Sequence, residues 1–296
     1  MLKLIPRSRL IQGSAVRFVR FQSDLIIKDK YLILRETYDP TKYPIVLCHG
    51  LSGFDTLLKS DAIKDLPKID YFKGVKQALV ALGCQVHITR VPPFGTISER
   101  AQALYESTKD LGPINLICHS MGGLDARYLI HKNPNNHDVK SLTTISTPHR
   151  GSEVADFVLN STLPPLSYLL PQSIRELTTT HMAEFNEKVF DDPKVLYFSY
   201  GAQFNPNWFS VFMPGWYIIK MLHPTKQFAN DGMVTVESSK WGTYLGTLDQ
   251  VDHMDLINWT NRLRALFDKA WFNTDPKFNA LALYLDIMDN LSKRGL

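Results

Sequence analysis

The stretch Ile114-Asn115-Leu116-Ile117-Cys118-His119-Ser120-Met121-Gly122 decides the fold that we predict for this chain. Residues 114–118 form an apolar run typical of a buried strand, and residues 122–130 follow a helical pattern. A serine at a sharp turn between such a strand and such a helix exposes its hydroxyl oxygen. The turn needs small residues two positions before and after the serine, because the strand and the helix pass close together there. Gly122 is such a residue, whereas Cys118 stands where the G-x-S-x-G motif has glycine, so other parts of the chain must support this interpretation.

The order of apolar runs predicts the architecture around this turn. Strand-like runs at residues 31–34, 45–48, 84–91, 114–118, 142–146 and 195–202 have helical patterns between most of them. Such alternation is typical of an α/β fold with a mostly parallel central sheet flanked by helices. Thr96-Ile97-Ser98-Glu99 is a capping box, which predicts that one of these helices begins there.

Ser120 is a nucleophile in this interpretation only if a base lies near it. A serine hydroxyl is a weak nucleophile unless a neighbouring base takes its proton. Among the nine histidines, His253 is the best placed, because it follows a strand-like run at residues 242–248 and opens a helix predicted near Met254. His149 is a competing base. We expect His119, which directly precedes the serine, to support the loop.

Asp231, in the turn Asn230-Asp231-Gly232, is the predicted partner of His253. An acid in this role holds the imidazole in one tautomer and stabilises its protonated form. The chain order Ser120, Asp231, His253 is that of an α/β-hydrolase. Asp125, one turn after the serine, is interpreted as a helix-surface or salt-bridge residue. Three further aspartates are rivals, of which two are too near His253 along the loop and the third points down the predicted helix: Asp249, Asp252 and Asp255.

Two backbone amides complete the predicted catalytic site. Acyl transfer at a serine passes through an oxyanion, which preorganised N–H groups stabilise. Met121, directly after the nucleophile, supplies one of them. The second should come from the loop after an early strand, and residues 44–48 run into the loop His49-Gly50-Leu51. We predict the amide of Leu51 as this donor and His49 as a residue that orients the loop. The predicted mechanism uses no cofactor and no metal ion.

Composition and charge limit the domain organisation. A chain of 296 residues with 44% hydrophobic residues can bury a substantial core, and we predict one domain over residues 24–296. Residues 1–23 contain five basic residues and no acidic one, whereas the remainder carries 28 basic and 29 acidic residues. The body therefore lacks the basic character of nucleic-acid-binding proteins. Arginine mixed with apolar residues and serine predicts a mitochondrial transit peptide, with a disordered or surface-lying basic arm as the alternative.

Residues 195–219 contain no charged side chain. Glycine, proline and asparagine interrupt this run, which excludes a transmembrane span because each break would leave backbone groups unpaired in lipid. The aromatic segment at about residues 203–222 suits a water–lipid boundary, and packing around a pocket explains it equally well. The three cysteines, Cys48, Cys84 and Cys118, imply no disulfide framework.

Several stretches together resemble the Pseudomonas-type (family I) true lipases of bacteria and their fungal mitochondrial relatives. The fungal relatives also share a cysteine or alanine in place of the first glycine of the serine motif, and the stretch Ser238-Ser239-Lys240-Trp241-Gly242. The resemblance implies an α/β-hydrolase with Ser120, Asp231 and His253 as triad, Leu51 and Met121 as oxyanion donors, and triacylglycerol as the substrate class. It rests on residues 43–51, 119–124, 143–152, 230–232 and 253–255, of which 147–152 are the most specific.

The resemblance also bears on a lid and on a metal site. A helical lid follows residues 147–151 in that family, and the apolar residues within 155–170 predict a mobile lid or cap over about 155–190, with a fixed packing helix as the alternative. Bacterial members hold a structural calcium ion. Asp255 matches one of its ligands, but Trp259 replaces another. The expected aspartate ligand before the triad acid is also missing, because residues 201–230 contain no acidic side chain. We therefore predict that this chain has no calcium site.

Three hypotheses follow from these observations. The main one is a mitochondrial carboxylic ester hydrolase acting on lipids, most concretely a triacylglycerol lipase in peripheral contact with a lipid surface. A phospholipase or an acyl-thioester hydrolase would use the same triad with a different pocket. A catalytically silent relative that binds lipid or serves as a scaffold is the third, and the intact triad argues against it.

Overall fold

The computed structural model describes residues 25–51, 70–134, 137–163, 166–206, 210–223, 228–259 and 278–296. The leader predicted at residues 1–23 lies outside the described residues. Two aromatic residues of the segment 203–222, Trp208 and Phe209, also lie outside them.

A parallel sheet forms the centre of the described chain. Its strands are β1 (Ile26–Ile27), β2 (Ile45–Cys48), β3 (Val86–Ile88), β4 (Ile114–His119), β5 (Val139–Ile145), β6 (Leu196–Gln203) and β7 (Thr243–Asp249). They are arranged in the order β1-β7-β6-β5-β4-β2-β3, and every neighbouring pair is parallel. The predicted α/β class with a parallel sheet is therefore confirmed.

Helices cover both faces of this sheet. They are α1 (Val75–Ala81), α2 (Ile97–Thr108), α3 (Gly122–Lys132), α4 (Glu153–Ser161), α5 (Gln172–Glu176), α6 (Thr179–Lys188), α7 (Met213–Leu222), α8 (Val236–Ser239) and α9 (Ala280–Ser292). Single-turn 3-10 helices lie at Leu166–Leu169 and Asp255–Ile257. The predicted capping box begins α2, because the Thr96 hydroxyl accepts from the Glu99 amide at 3.2 Å and the Glu99 carboxylate accepts from the Thr96 amide at 2.8 Å.

The strand β2 shows how the two faces are filled. Ile45 and Leu47 belong to a core that includes residues of α1 and α9. Val46 and Cys48 belong to a second core that includes residues of α2 and α3. Successive side chains of a strand point to opposite faces, so a strand covered on both faces is apolar throughout, as β2 is.

A further set of helical elements packs near the turn after β4. We call α4, the 3-10 helix Leu166–Leu169, α5, α6 and α7 the cover. Buried apolar residues of the cover, including Ala155, Met182 and Phe185, share a cluster with Met121 and Leu124. The cover spans the segments in which the lid and the aromatic loop are predicted, and its aromatic segment contains the ten-residue helix α7.

The strand predicted at residues 31–34 is wrong. Tyr31 is buried and donates its hydroxyl to Asp286 of α9 at 2.9 Å, while the side chains of the next three residues are exposed. The backbone turns there, since the amide of Leu32 donates to the carbonyl of Asp29 at 3.3 Å. The edge beside β7 is occupied by β1 instead. The apolar run thus reflects one side chain packed against α9 rather than a paired strand.

Two other elements are shorter than predicted. The strand predicted at residues 84–91 comprises Val86–Ile88 alone. The helix predicted to begin near Met254 is a single 3-10 turn, Asp255–Ile257, and it ends at Asn258, which has a positive φ of 64°. A backbone in the left-handed region cannot continue a right-handed helix.

Within the described residues, no helix is both long enough and apolar enough to cross a lipid bilayer.

Candidate active site

Ser120 occupies the sharp turn between β4 and α3. Its φ is +55°, in the left-handed region that costs a non-glycine residue about 1 kcal/mol. The turn is held from both sides, because the Ser120 amide donates to the carbonyl of Ile145 at 3.0 Å and the Ser120 carbonyl accepts from the Thr147 hydroxyl at 2.7 Å. The strained backbone fits the sharp turn that the sequence predicts, and the Ser120 side chain is half-buried there.

The residues two positions away from Ser120 are small for different reasons. A Cβ atom on Gly122 would lie 2.8 Å from the carbonyl oxygens of both Cys48 and His49, so only glycine fits there. Cys118 is fully buried and pairs in register with Cys48 on β2, which leaves room for one thiol on each strand. Burial raises the pKa of Cys118 well above its ordinary value, so this thiol is neutral and not a competing nucleophile.

Asp231 and His253 come together as an acid–base pair. The Nδ1–H of His253 donates to Oδ2 of Asp231 at 2.7 Å, and its backbone amide donates to the Asp231 carbonyl at 3.1 Å. The other carboxylate oxygen of Asp231 accepts from the amides of Met233 and Val234 at 3.0 and 2.8 Å. The carboxylate is fully buried and accepts three hydrogen bonds. With its proton on Nδ1, the His253 ring keeps Nε2 as an acceptor, and this nitrogen has no hydrogen-bond partner among the described residues.

His253 lies next to the nucleophile turn. Its ring centroid is 4.6 Å from that of His119, the residue before Ser120, and 6.2 Å from that of Phe212. Among the described residues, no hydrogen bond yet joins Ser120 Oγ to His253. Such bonds are often long in free hydrolases and shorten when substrate binds.

The rival residues have other partners. His149 stacks on Trp241 with ring centroids 5.1 Å apart and contacts the Thr144 hydroxyl at 3.0 Å, in a buried cluster with Arg127. Asp249 accepts from the Gln203 side chain at 2.8 Å. Asp252 and Asp255 cap the turn after His253, since each accepts a backbone amide of the other.

The loop after β2 presents two peptide groups that are held from several directions. The His49 carbonyl accepts from Arg100 Nη2 at 2.8 Å, while the Gly50 amide at the other end of the same peptide donates to the Tyr71 hydroxyl at 3.0 Å. The Gly50 carbonyl accepts from Arg100 at 3.2 Å and from Nδ1 of His49 at 2.9 Å. Because a trans peptide points its N–H opposite to its C=O, the Leu51 amide points away from Arg100.

Leu51 and Met121 are the predicted oxyanion donors. Within the described chain, neither amide donates a hydrogen bond, so both N–H groups are available to a ligand. A Cβ on Gly50 would lie 2.8 Å from the Cβ of Ser120, which shows how closely the loop approaches the nucleophile. Two fixed, unpaired N–H groups beside a half-buried serine are the arrangement that stabilises an oxyanion.

Arg100 and Asp125 form a fully buried ion pair behind this loop. Arg100 lies 2.7 Å from Asp125 Oδ2 through Nη2, and Nη1 donates to the Pro92 carbonyl at 3.0 Å. Asp125 is therefore a salt-bridge residue, and the alternative of a helix-surface residue is wrong. Burial raises the pKa of Asp125 to about 6, while Arg100 opposes the rise.

The stretch 147–152 connects the serine turn with the cover and the acid loop. Thr147 bonds to Ser120, as described, and the Ser152 hydroxyl donates to the Met233 carbonyl at 2.6 Å, next to Asp231. Arg150 donates to the carbonyls of Glu237 and Lys240. The specific sequence of this stretch thus serves long-range anchoring.

Sequence reasoning named Thr147 and Phe212 only as members of longer stretches, and it missed two residues of this site: Tyr71 and Arg100. Each belongs to a segment distant from Ser120 in sequence or carries no motif of its own. The pattern of Arg100 was a weak signal, since a charged residue falls on the buried side of α2, between Ile97 and Leu104. The part of the chain that the structure describes contains no group of three or more His, Cys, Asp or Glu side chains arranged to hold a metal ion.

Comparisons with known proteins agree with this geometry. Residues 44–199, just over half of the chain, match the family model described as palmitoyl protein thioesterase. Triacylglycerol lipase 2 of Saccharomyces cerevisiae is 42% identical over 309 aligned positions, covering 88% of this chain and 94% of that protein. A triacylglycerol lipase of Vibrio cholerae is 29% identical, covering 90% of this chain and 93% of that protein.

A solved structure, the mature lipase of Bacillus licheniformis, has a TM-score of 0.59 and 24% identity, covering 80% of this chain and 96% of that one. This likeness shows a shared α/β-hydrolase fold. The resemblance to the lipases is thereby confirmed. The chain therefore belongs to the α/β-hydrolase lipase family, together with the triacylglycerol lipases, and it is a carboxylic ester hydrolase that acts on lipid esters.

Proposed function

We propose that this enzyme hydrolyses triacylglycerols, with Ser120 as nucleophile, His253 as base, Asp231 as its orienting acid and the amides of Leu51 and Met121 as oxyanion donors. The observation that carries the proposal is the Asp231–His253 pair at 2.7 Å, set beside a strained serine turn. The substrate class follows from 42% identity to a triacylglycerol lipase over nearly the whole of both chains.

The geometry supports a two-step reaction. Nε2 of His253 takes the proton of Ser120 Oγ as that oxygen attacks the ester carbonyl carbon, and the carbonyl oxygen becomes an oxyanion on the two amides. His253 then gives the proton to the leaving alcohol, which leaves an acyl group on Ser120. A water molecule, deprotonated by His253, attacks the acyl carbon, and release of the fatty acid returns the proton to Ser120.

The cover supports contact with a lipid surface. Large apolar side chains stand exposed on its outer side, which is costly in water and favourable at a lipid boundary. Trp216 of α7, together with Phe204 and Phe228 from outside that helix, lines a cleft of about 1150 Å³ that borders Asn230, next to Asp231. In the proposed function, the cover opens as a lid when it meets lipid. The exposed residues of the cover include Leu166 (60%), Tyr168 (75%), Leu169 (78%), Met221 (67%) and Leu222 (50%).

A fluorophosphonate probe tests the catalytic assignment. We expect the wild-type enzyme to be labelled at Ser120, and Ser120→Ala to be unlabelled and at least about 10³-fold less active. Circular dichroism of Ser120→Ala checks that the variant is folded. Equal labelling of both proteins would exclude Ser120 as nucleophile, and absence of labelling in the wild type would favour a silent lipid-binding relative.

A second candidate function is hydrolysis of acyl thioesters, favoured by the match of residues 44–199 to the thioesterase model. Phospholipids are a third substrate class that the same triad could cleave. Emulsions of triacylglycerol, diacylglycerol, phospholipid and acyl thioester should be compared side by side, with Ser120→Ala as control. We expect the highest kcat/KM for triacylglycerol, and a higher value for the thioester would replace the proposal.

The location proposed for the enzyme is the mitochondrion. Five basic and no acidic residues in 1–23 support import. Residues 1–23 fused to a fluorescent protein should reach mitochondria, whereas a fusion with its five basic residues changed to glutamine should not. Identical distribution of the two fusions would contradict the proposal.

A further inference from the structure

Tyr71 stands between the oxyanion loop and the histidine that precedes the nucleophile. Its hydroxyl accepts the Gly50 N–H at 3.0 Å and lies 2.7 Å from Nδ1 of His119. Its ring packs against those of His49 and Phe72, with centroids 5.5 and 5.0 Å away. The side chain is therefore fixed by packing as well as by hydrogen bonds.

The hydrogen bonds that link Tyr71, His119 and His253 allow one consistent assignment of donors and acceptors. Nε2 of His119 is 3.1 Å from the carbonyl of His253, which can only accept, so His119 carries its proton on Nε2. Nδ1 is then an acceptor, and the Tyr71 hydroxyl donates to it. Burial lowers the pKa of His119 and raises that of Tyr71, so both side chains are neutral near neutral pH.

We propose that Tyr71 is a positioning residue which, through His119, couples the peptide before the oxyanion donor Leu51 to the backbone of His253. The proposal rests on the proposed catalytic roles of Leu51 and His253. The Gly50 N–H, the Tyr71 hydroxyl, the His119 ring and the His253 carbonyl form one hydrogen-bonded chain across the site. Each link is a single bond between segments that are distant in sequence.

The physical reason is that the oxyanion loop and His253, at the two ends of this series of hydrogen bonds, tolerate only small displacements. Oxyanion donors and a general base must stay within about 0.5 Å of the productive geometry. Arg100 holds the carbonyl of the His49–Gly50 peptide, but only Tyr71 among the described residues holds its N–H. Without the hydroxyl, this peptide can rotate about its carbonyl anchor. The rotation strains the bonds from Arg100 and His49 to the Gly50 carbonyl, which set the direction of the Leu51 amide. His119 also loses the partner that sets its ring orientation beneath His253.

Tyr71→Phe tests this inference, and Tyr284→Phe is its matched control. Tyr284, on α9, is a buried tyrosine 5.9 Å from the same Phe72 ring, and its hydroxyl has no hydrogen-bond partner in the described chain. Titration with a fluorophosphonate gives the concentration of active enzyme, so kcat is measured per competent site. We expect Tyr71→Phe to lower kcat about 10- to 100-fold with KM within about threefold, and Tyr284→Phe to leave both within twofold.

The other end of the chain provides a second variant. His119→Gln should lower kcat by a similar factor. The kcat of the double variant with Tyr71→Phe should lie no more than about twofold below that of the less active single variant, because both changes break the same series of hydrogen bonds. An unchanged kcat per titrated site in Tyr71→Phe, or multiplicative losses in the double variant, would overturn the proposal. A purely structural role would lower the titrated fraction or Tm without changing kcat. Failure of the proposed function appears separately, as labelling that survives Ser120→Ala.

Discussion

We call the buried polar residues around Ser120, including Arg100, His119, Asp231 and His253, the floor of the active site. The floor and the cover are built on opposite principles. In the floor, polar and charged side chains are buried and hydrogen bonded: Arg100 and Asp231 are 0% exposed, and His119 is 1% exposed. In the cover, apolar side chains are exposed instead, with Tyr168 and Leu169 at 75% and 78%. Both arrangements cost stability in water, the first through desolvation and the second through exposed apolar surface.

The difference separates the chemistry from the recognition of lipid. Stabilising an oxyanion needs dipoles that are fixed before the reaction, and only a saturated, buried network supplies them. Contact with an aggregate of lipid needs apolar area without a fixed geometry. The two regions meet at α7, where Phe212 contacts His253 and Gly215 packs against the carbonyl of Gly232, beside Asp231. Changes in the floor should therefore affect all substrates, whereas changes in the cover should affect only aggregated ones.

The largest effect is expected from Asp231→Asn. An amide cannot hold the Nδ1–H tautomer of His253 as the carboxylate does, so kcat should fall about 10³- to 10⁴-fold for soluble and emulsified esters alike. Asp249→Asn is the control, because the Asp249 carboxylate accepts a hydrogen bond from Gln203 and not from His253. It should change kcat less than threefold. Steady-state kinetics on both substrate forms measures this. A loss confined to emulsions would break the separation of floor and cover.

The next largest effect is expected from Arg100→Lys. A lysine keeps the charge beside Asp125 but cannot bond to the carbonyls of Pro92, His49 and Gly50 together. We expect kcat to fall about 10- to 100-fold and unfolding in urea to show a loss of about 2–3 kcal/mol.

Arg150→Lys is the matched control for this change, because Arg150 also holds two backbone carbonyls but outside the oxyanion loop. It should lower stability without lowering kcat more than threefold. Equal losses of kcat in the two variants would mean that the Arg100 carbonyl bonds have no special role in catalysis.

A smaller effect is expected in the cover. The double change Leu166→Ser and Leu169→Ser removes two exposed apolar side chains, and it should reduce activity on triacylglycerol emulsions about tenfold by weakening adsorption. Activity on a soluble short-chain ester should stay within twofold. Ile33→Ser with Leu34→Ser changes two similarly exposed side chains outside the cover, at 79% and 52%, and should affect neither assay. A parallel loss on both substrates would contradict the proposed role of the cover.

The smallest effect concerns the pH dependence of stability, which should come from buried groups rather than from the cover. Burial lowers the pKa of His119 and His149 well below the ordinary value. Below about pH 6.5 these two histidines take up protons in the unfolded chain but not in the native protein. The free energy of unfolding therefore falls with pH, by up to about 1.4 kcal/mol per pH unit for each ring. Asp125, with its pKa raised to about 6, opposes this below pH 6.

Urea unfolding at pH 7.5, 6.5 and 5.5 measures this balance, and we expect a net loss of about 1–2 kcal/mol between the last two values. His149→Gln should reduce this loss by about 1 kcal/mol, because one of the two buried rings is removed. A free energy of unfolding that rises toward pH 5.5 would show that the buried carboxyl dominates.

The sequence by itself determined the elements whose signals are local. The strand–serine–helix pattern around Ser120 predicts the turn because both neighbouring elements show their periodicity within a few residues. The loop His49-Gly50-Leu51 follows its strand directly, and the turn of Asp231 carries its own glycine. The capping box of α2 is likewise a contact between residues three positions apart, and it forms as predicted.

Only the tertiary structure decided which distant groups hold these elements in place. Tyr71 and Arg100 reach the oxyanion loop from segments 21 and 51 positions away, and no motif marks either residue. The apolar run at 31–34 predicts a strand that does not form, because burial of Tyr31 against α9 and pairing in a sheet leave the same apolar pattern. Local backbone preference depends on neighbouring residues, whereas a long-range hydrogen bond depends on where the fold places its two partners.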